Sequence, residues 1–177
     1  MIPWSFDSKE MLGVSDALEI AEENTGDFFK FSFRQWKRHC YDIRTLVHLD
    51  EHEIVRGAFA SLEKGFRRTC DLDFRREKRD CYFICLQDHS ILEALDRDKK
   101  LGLVPLLVYV FTHELVHIVR FCNFSQRFEV SDTEEREREE RIVHTTTYKI
   151  LKNLSLQKLD YILQSYQNRR VCDYASC

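Results

Sequence analysis

Two histidines and one glutamate near the middle of the chain have the residue types and the spacing of a metal site. The sequence His-Glu-Leu-Val-His places His113 and His117 four residues apart, with Glu114 directly after the first of them. On a helix, side chains four apart lie on one face with Cβ atoms about 5–6 Å apart, so two imidazoles can reach one ion. A zinc ion lowers the pKa of a bound water to about 7, and a neighbouring carboxylate can accept the proton of that water. The pattern therefore predicts His113 and His117 as zinc ligands and Glu114 as a general base.

The surroundings of this motif favour a buried helix. Residues 110–112, 115–116 and 118–119 are all uncharged. Pro105 suits the first turn of the helix, and the end of the helix is expected near Phe121. A buried helix holds two imidazoles rigidly, as a metal site requires. The alternative is a core helix whose histidines are satisfied by hydrogen bonds alone.

The composition predicts one soluble domain. At 177 residues the chain can bury a full core, and five glycines and two prolines favour long helices over strands and turns. A net charge of -3 and a pI near 6.2 argue against a general nucleic-acid binder. The longest apolar run, residues 101–111, is too short to span a bilayer. We expect neither a nucleic-acid nor a membrane partner.

The seven cysteines indicate a reducing compartment. Their number is odd, no pair has Cys-x-x-Cys spacing, and the N-terminus lacks a basic segment followed by an apolar run. We therefore expect a cytoplasmic protein without a separate structural zinc site.

The remaining pattern predicts helices around a β-hairpin. Helices are expected over about 8–24, over 33–48, along the apolar stripe from Ile54 to Phe66, and as a short turn over 90–95. The hairpin pairs residues 70–74 with residues 81–86, and the second strand is expected to be a substrate-lining edge. A capping box at Ser131 to Glu134 begins a further helix, and the last helix begins at Ser155.

A catalytic zinc commonly has three protein ligands and one open position, so a third ligand is needed. The form with a third histidine six residues after the second is absent, because Arg120 and Asn123 occupy the diagnostic positions. The other source is a glutamate on the next helix. Glu140 shares a helix face with the apolar residues that follow it, which points it inward. Glu140 is therefore the favoured third ligand, with Glu139 and His144 as alternatives.

Together these two helices resemble the glutamate-type zincins, in particular the compact metallopeptidases related to ImmA/IrrE. That group carries His-Glu-x-x-His on one helix and Glu-x-x-small-Asn on the next. Here Glu140 begins the second pattern, Val143 replaces the small residue and His144 replaces the asparagine. The resemblance covers about residues 80–155. It implies a zinc-dependent hydrolase of peptide bonds that acts on a protein or peptide substrate.

The expected fold is α+β and mostly helical: a compact zincin-like domain with a small hairpin or sheet packed on the motif helix. A single domain is expected over 1–177, with N-terminal helices in 1–67, the site elements in 68–155, and a C-terminal helix and tail in 156–177. In this hypothesis His144, one turn after Glu140, stabilises the oxyanion of the tetrahedral intermediate.

Two other functions fit the same residues. One is a non-catalytic, metal-binding regulatory or interaction module that keeps the zincin fold. The other is a helical di-iron protein, because Glu114-x-x-His117 matches half of such a site. A di-iron site needs that motif on two helices, and the sequence contains it once.

Overall fold

The computed structural model describes residues 4–36, 39–67, 79–123, 128, 132–166 and 172–174. The helices are α1 (Ser8–Phe29), α2 (Phe33–Trp36), α3 (Asp88–Arg97), α4 (Leu103–Cys122), α5 (Thr133–Leu151) and α6 (Leu159–Tyr166). The strands are β1 (Tyr41–Arg44), β2 (Ala60–Arg67), β3 (Arg79–Leu86) and β4 (Cys172–Tyr174). The fold is α+β, mostly helical with a small sheet, as predicted.

Helix α4, which carries the histidine motif, lies at the centre of the core. Every residue from 105 to 119 is buried, because α1, α5, α6 and the sheet all pack around this helix. A helix that is apolar on all sides is stable only when other elements cover all sides. In the described part of the chain α4 alone is long and apolar enough to cross a membrane, and 83% of its most apolar window is buried within the protein. Its apolar surface is thus already covered.

The sheet has the strand order β1-β3-β2-β4. Strand β3 pairs in parallel with β1 and antiparallel with β2, while β4 adds in parallel to the other side of β2. The sheet joins the core around α4, and the ring of Tyr82 stacks on that of Phe121 with centroids 5.9 Å apart. The prediction that residues 81–86 form an edge strand is wrong, because β3 has a hydrogen-bonded neighbour on each side.

Two of the predicted helices are wrong. The predicted helix over 33–48 ends at Trp36 and is followed by β1, and the stripe from Ile54 to Phe66 runs into β2. Capping-box sequences at Ser32–Gln35 and at Asp50–Glu53 predict the starts of these two helices. Both boxes form, but the second begins only a single turn of 3₁₀ helix. A cap fixes where a helix can begin, whereas strand pairing with β3 decides the structure of the segments that follow.

The described antiparallel partner of β3 is β2, and the predicted strand over 70–74 lies outside the described residues. Strands β1 and β2 therefore fall within the segment 1–67 that the sequence predicts to be helical. The prediction that residues 1–177 form a single domain stays a prediction.

Most of the other predicted helices form, with shifted ends. Helix α1 continues past the predicted end near residue 24 and ends at Phe29, and the capping residue Lys30 has a left-handed φ of 59°. The turn predicted over 90–95 is the full helix α3. Ser131, the first residue of the predicted capping box, lies outside the described residues. Helix α5 is capped by Asp132, whose side chain accepts a hydrogen bond from the backbone N–H of Glu134. Helix α6 begins at Leu159 rather than at Ser155.

Candidate metal centre

Helices α4 and α5 pack so that three predicted ligands meet inside the protein. His113 and His117 are fully buried, and their Nε2 atoms lie 3.2 Å apart. The carboxylate of Glu140 faces both rings: its Oε2 is 3.4 Å from His113 Nε2 and its Oε1 is 3.3 Å from His117 Nε2. The structure thus brings together the two motif histidines and the favoured third ligand.

These separations fit a tetrahedral zinc ion. Zinc binds imidazole nitrogen and carboxylate oxygen at about 2.0–2.2 Å, and in a tetrahedron such bonds place the ligand atoms about 3.3–3.5 Å from one another. The three separations among His113, His117 and Glu140 are 3.2, 3.4 and 3.3 Å. The two imidazole nitrogens and the carboxylate, which offers a different oxygen to each of them, are therefore spaced as the ligands of one ion are.

Both carboxylate oxygens of Glu140 are buried, and each lies 3.3–3.4 Å from Nε2 of one motif histidine. Burial by itself raises the pKa of Glu140, but the contacts and charges of His113 and His117 hold that pKa well below its ordinary value. This environment favours the ionised carboxylate. A buried anion is costly unless it is paired with a cation. This cluster of acceptors is consequently suited to a metal ion.

Glu139, the first alternative ligand, has another partner. Its carboxylate accepts two hydrogen bonds from the guanidinium of Arg120, at 2.5 and 2.7 Å. Its Oε1 lies 3.9 Å from Nδ1 of His117, on the side of the ring that faces away from Glu140. At 3.9 Å this is an electrostatic contact and not a hydrogen bond. Glu139 thus places a negative charge beside His117, and Arg120 holds that carboxylate in place.

We expect Arg120→Met to lower the free energy of unfolding by about 2–4 kcal/mol, because the nearly buried Glu139 charge loses its partner. The value is below that of a fully buried pair, since 21% of the Arg120 side chain is exposed. Metal affinity should fall about 10- to 100-fold, because the Glu139 carboxylate beside His117 is no longer held in place. Urea unfolding and competition with a chromophoric chelator measure the two effects.

The double variant Arg120→Met/Glu139→Gln separates these effects. Removing the unpaired charge should restore most of the stability, whereas metal affinity should stay low. Unchanged metal affinity in both variants would show that this ion pair does not position His117.

His144, the second alternative ligand, also reaches the cluster. Its Nε2 lies 3.7 Å from Oε2 of Glu140, and its ring centroid lies 4.6 Å from that of His113. Ligand atoms of His113, Glu140 and His144 all lie within 4.8 Å of one another. On its other side, Nδ1 of His144 is 2.9 Å from the hydroxyl oxygen of Tyr109, which also contacts the carbonyl oxygen of Tyr166 at 3.3 Å.

Glu114 is fully buried on α4. Burial raises the pKa of the Cys85 thiol on β3 to about 12, and the negative charges of Glu53, Glu63 and Glu114 add to this effect. Glu114 is therefore near β3 and directly follows His113 along the helix. Its role as a general base stays a prediction.

Arg120 and Tyr109 are the site residues that the sequence does not single out. Tyr109 precedes His113 by four residues, and Arg120 follows His117 by three. These spacings place all four side chains along one face of α4. The sequence signal that identifies Tyr109 and Arg120 is that they are polar residues on the same face of this apolar helix as His113 and His117.

The chain was compared with protein-family models, with curated proteins and with solved structures, and none of the three comparisons gave a match. The function proposed below therefore rests on the chemistry of this site.

Proposed function

We propose that this protein is a zinc-dependent hydrolase of peptide bonds. His113, His117 and Glu140 hold the metal ion, and Glu114 is the general base. The observation that carries the proposal is the buried cluster of His113, His117 and Glu140, in which the two imidazole Nε2 atoms lie 3.2 Å apart and each lies 3.3–3.4 Å from one oxygen of the Glu140 carboxylate. The substrate class we propose is a protein or peptide.

Each residue has a distinct part in this reaction. A bound zinc would polarise the scissile carbonyl and lower the pKa of the attacking water. Glu114 accepts a proton at its carboxylate and returns it to the leaving amine, as a general base that becomes a general acid. The Glu139 carboxylate places a negative charge 3.9 Å from Nδ1 of His117, and the surrounding apolar residues of α4 hold both rings rigidly in the core.

A second function is favoured by one specific observation. His144 brings a fourth donor atom to within 3.7 Å of Glu140. Four protein ligands are typical of structural zinc sites, whereas catalytic sites keep one open position. A metal-binding regulatory or interaction module with the same ligands is therefore the second candidate.

The two candidates differ in turnover. Zinc-loaded protein should cleave an unstructured protein such as casein, and the His117→Ala variant should not. Stoichiometric zinc binding without cleavage of casein or of the protein's own chain would favour the module. Elemental analysis of the same samples separates one zinc from the two irons of a di-iron protein.

A further inference from the structure

We propose that His144 is a fourth protein ligand of the metal and that Tyr109 fixes the ring nitrogen which His144 presents to it. The inference rests on the metal site proposed above. It says that, before substrate binds, three imidazoles and one carboxylate would hold the metal and leave no coordination position open.

The first argument is position. His113 and Glu140 belong to two overlapping triples of ligand atoms, one completed by His117 and the other by His144. The 3.7 Å between His144 Nε2 and Glu140 Oε2 is close to the ligand spacing of about 3.3–3.5 Å in a tetrahedral zinc site. His144 is also buried, on the same helix as Glu140 and one turn further along. Among the described residues, the group of ligand atoms within 4.8 Å of one another that contains His144 does not include His117, so the His144 ring must move toward His117 to complete a four-coordinate site.

The second argument is the hydrogen bonding of Tyr109. The carbonyl oxygen of Tyr166 can only accept, so the single hydroxyl hydrogen of Tyr109 is donated to it. The hydroxyl oxygen of Tyr109 then accepts a hydrogen bond from Nδ1 of His144, 2.9 Å away. A neutral imidazole with its hydrogen on Nδ1 carries its lone pair on Nε2. That nitrogen faces Glu140, in the form that a metal ligand requires.

This arrangement distinguishes two roles for His144. Stabilising an oxyanion requires a hydrogen on Nε2, whereas binding a metal requires a lone pair there. The contacts of Tyr109 favour the second form. Since hydrolysis needs an open metal position, His144 in this position limits the reaction. Tyr166 is the last residue of α6, so that helix helps to hold the ring in place.

X-ray absorption at the zinc edge tests the proposal directly, because it counts imidazole ligands. The zinc-loaded protein should show three imidazoles, and His144→Leu should show two. The matched control is His52→Ala, which removes an exposed histidine from the single turn of 3₁₀ helix at Glu51–Glu53 and should retain three. Peptide hydrolysis per bound zinc should rise in His144→Leu, since a coordination position is opened.

The Tyr109→Phe variant tests the same idea without disturbing the packing, because it removes only a hydroxyl. Its zinc affinity, measured by competition with a chromophoric chelator, should fall about 10- to 100-fold. Two imidazoles in the zinc-loaded wild-type protein would overturn the inference and leave the proposed function standing, as would a lower hydrolysis rate in His144→Leu with zinc affinity unchanged. A wild-type protein that binds no zinc would overturn both.

Discussion

Replacing Glu114 by Gln should leave the metal bound and lower the rate of peptide hydrolysis by about 10²- to 10⁴-fold. The change keeps the shape of a side chain that is fully buried, and Glu114 is not among the ligands that we assign to the metal. The amide of Gln cannot accept a proton, so the attacking water loses its general base. Metal content and the free energy of unfolding should therefore change little while turnover is lost.

The measurement is the initial rate of casein cleavage by zinc-loaded protein, together with the zinc content of the same sample. Glu93→Gln is the matched control, because Glu93 is exposed on α3 and should keep full activity. Retained activity in Glu114→Gln would remove Glu114 from the mechanism. Loss of zinc from that variant would instead place Glu114 among the ligands.

Removing the metal should lower the thermal stability of the protein markedly. A ligand that binds only the folded state at a thousandfold excess over its Kd stabilises by about 4 kcal/mol. For a chain of this size each kcal/mol corresponds to about 2–4 °C in Tm, so zinc should raise Tm by about 8–16 °C. The buried oxygens of Glu140 are the structural reason, since a metal ion bound there compensates the negative charge that the protein encloses beside His113 and His117.

Calorimetry with and without a chelator measures this shift. The variant His113→Ala/His117→Ala should show no dependence of Tm on zinc, because both motif ligands are lost. His52→Ala should respond as the wild type does. A wild-type Tm that is the same with zinc and with chelator would contradict the assignment of these side chains as ligands.

The site elements were largely predictable from the sequence because their signals are local. The uncharged surroundings of His113 and His117 predict a buried helix, and α4 is that helix. The acidic start and apolar continuation of α5 point Glu140 inward, and the structure places its carboxylate between the two imidazoles. Both inferences depend only on helical periodicity, which extends over many residues in each segment.

The sheet was predicted only in part, because short strands depend on partners that are distant in the sequence. Strand β1 has four residues and exists by pairing with β3, about forty residues later. Strand β2 contains Gly65 and an apolar stripe that also fits a helix. Local patterns cannot decide such segments, whereas the run at 81–86 is apolar enough to be recognised alone.

The residues that contact the proposed ligands, Arg120 and Tyr109, could not be predicted from the sequence for a related reason. Arg120 is significant because Glu139 on another helix accepts its hydrogen bonds, and Tyr109 because His144 and Tyr166 meet at its hydroxyl. Neither contact has a sequence motif. The spacing of Arg120 and Tyr109 from the histidines identifies them only after the motif helix has been recognised.

The metal content of the purified protein tests the central claim most directly. Elemental mass spectrometry of the wild-type chain should find one zinc per molecule, and the variant His113→Ala/His117→Ala should contain none. A correctly folded wild-type protein that carries no metal after incubation with zinc, or that carries two irons, would contradict the account.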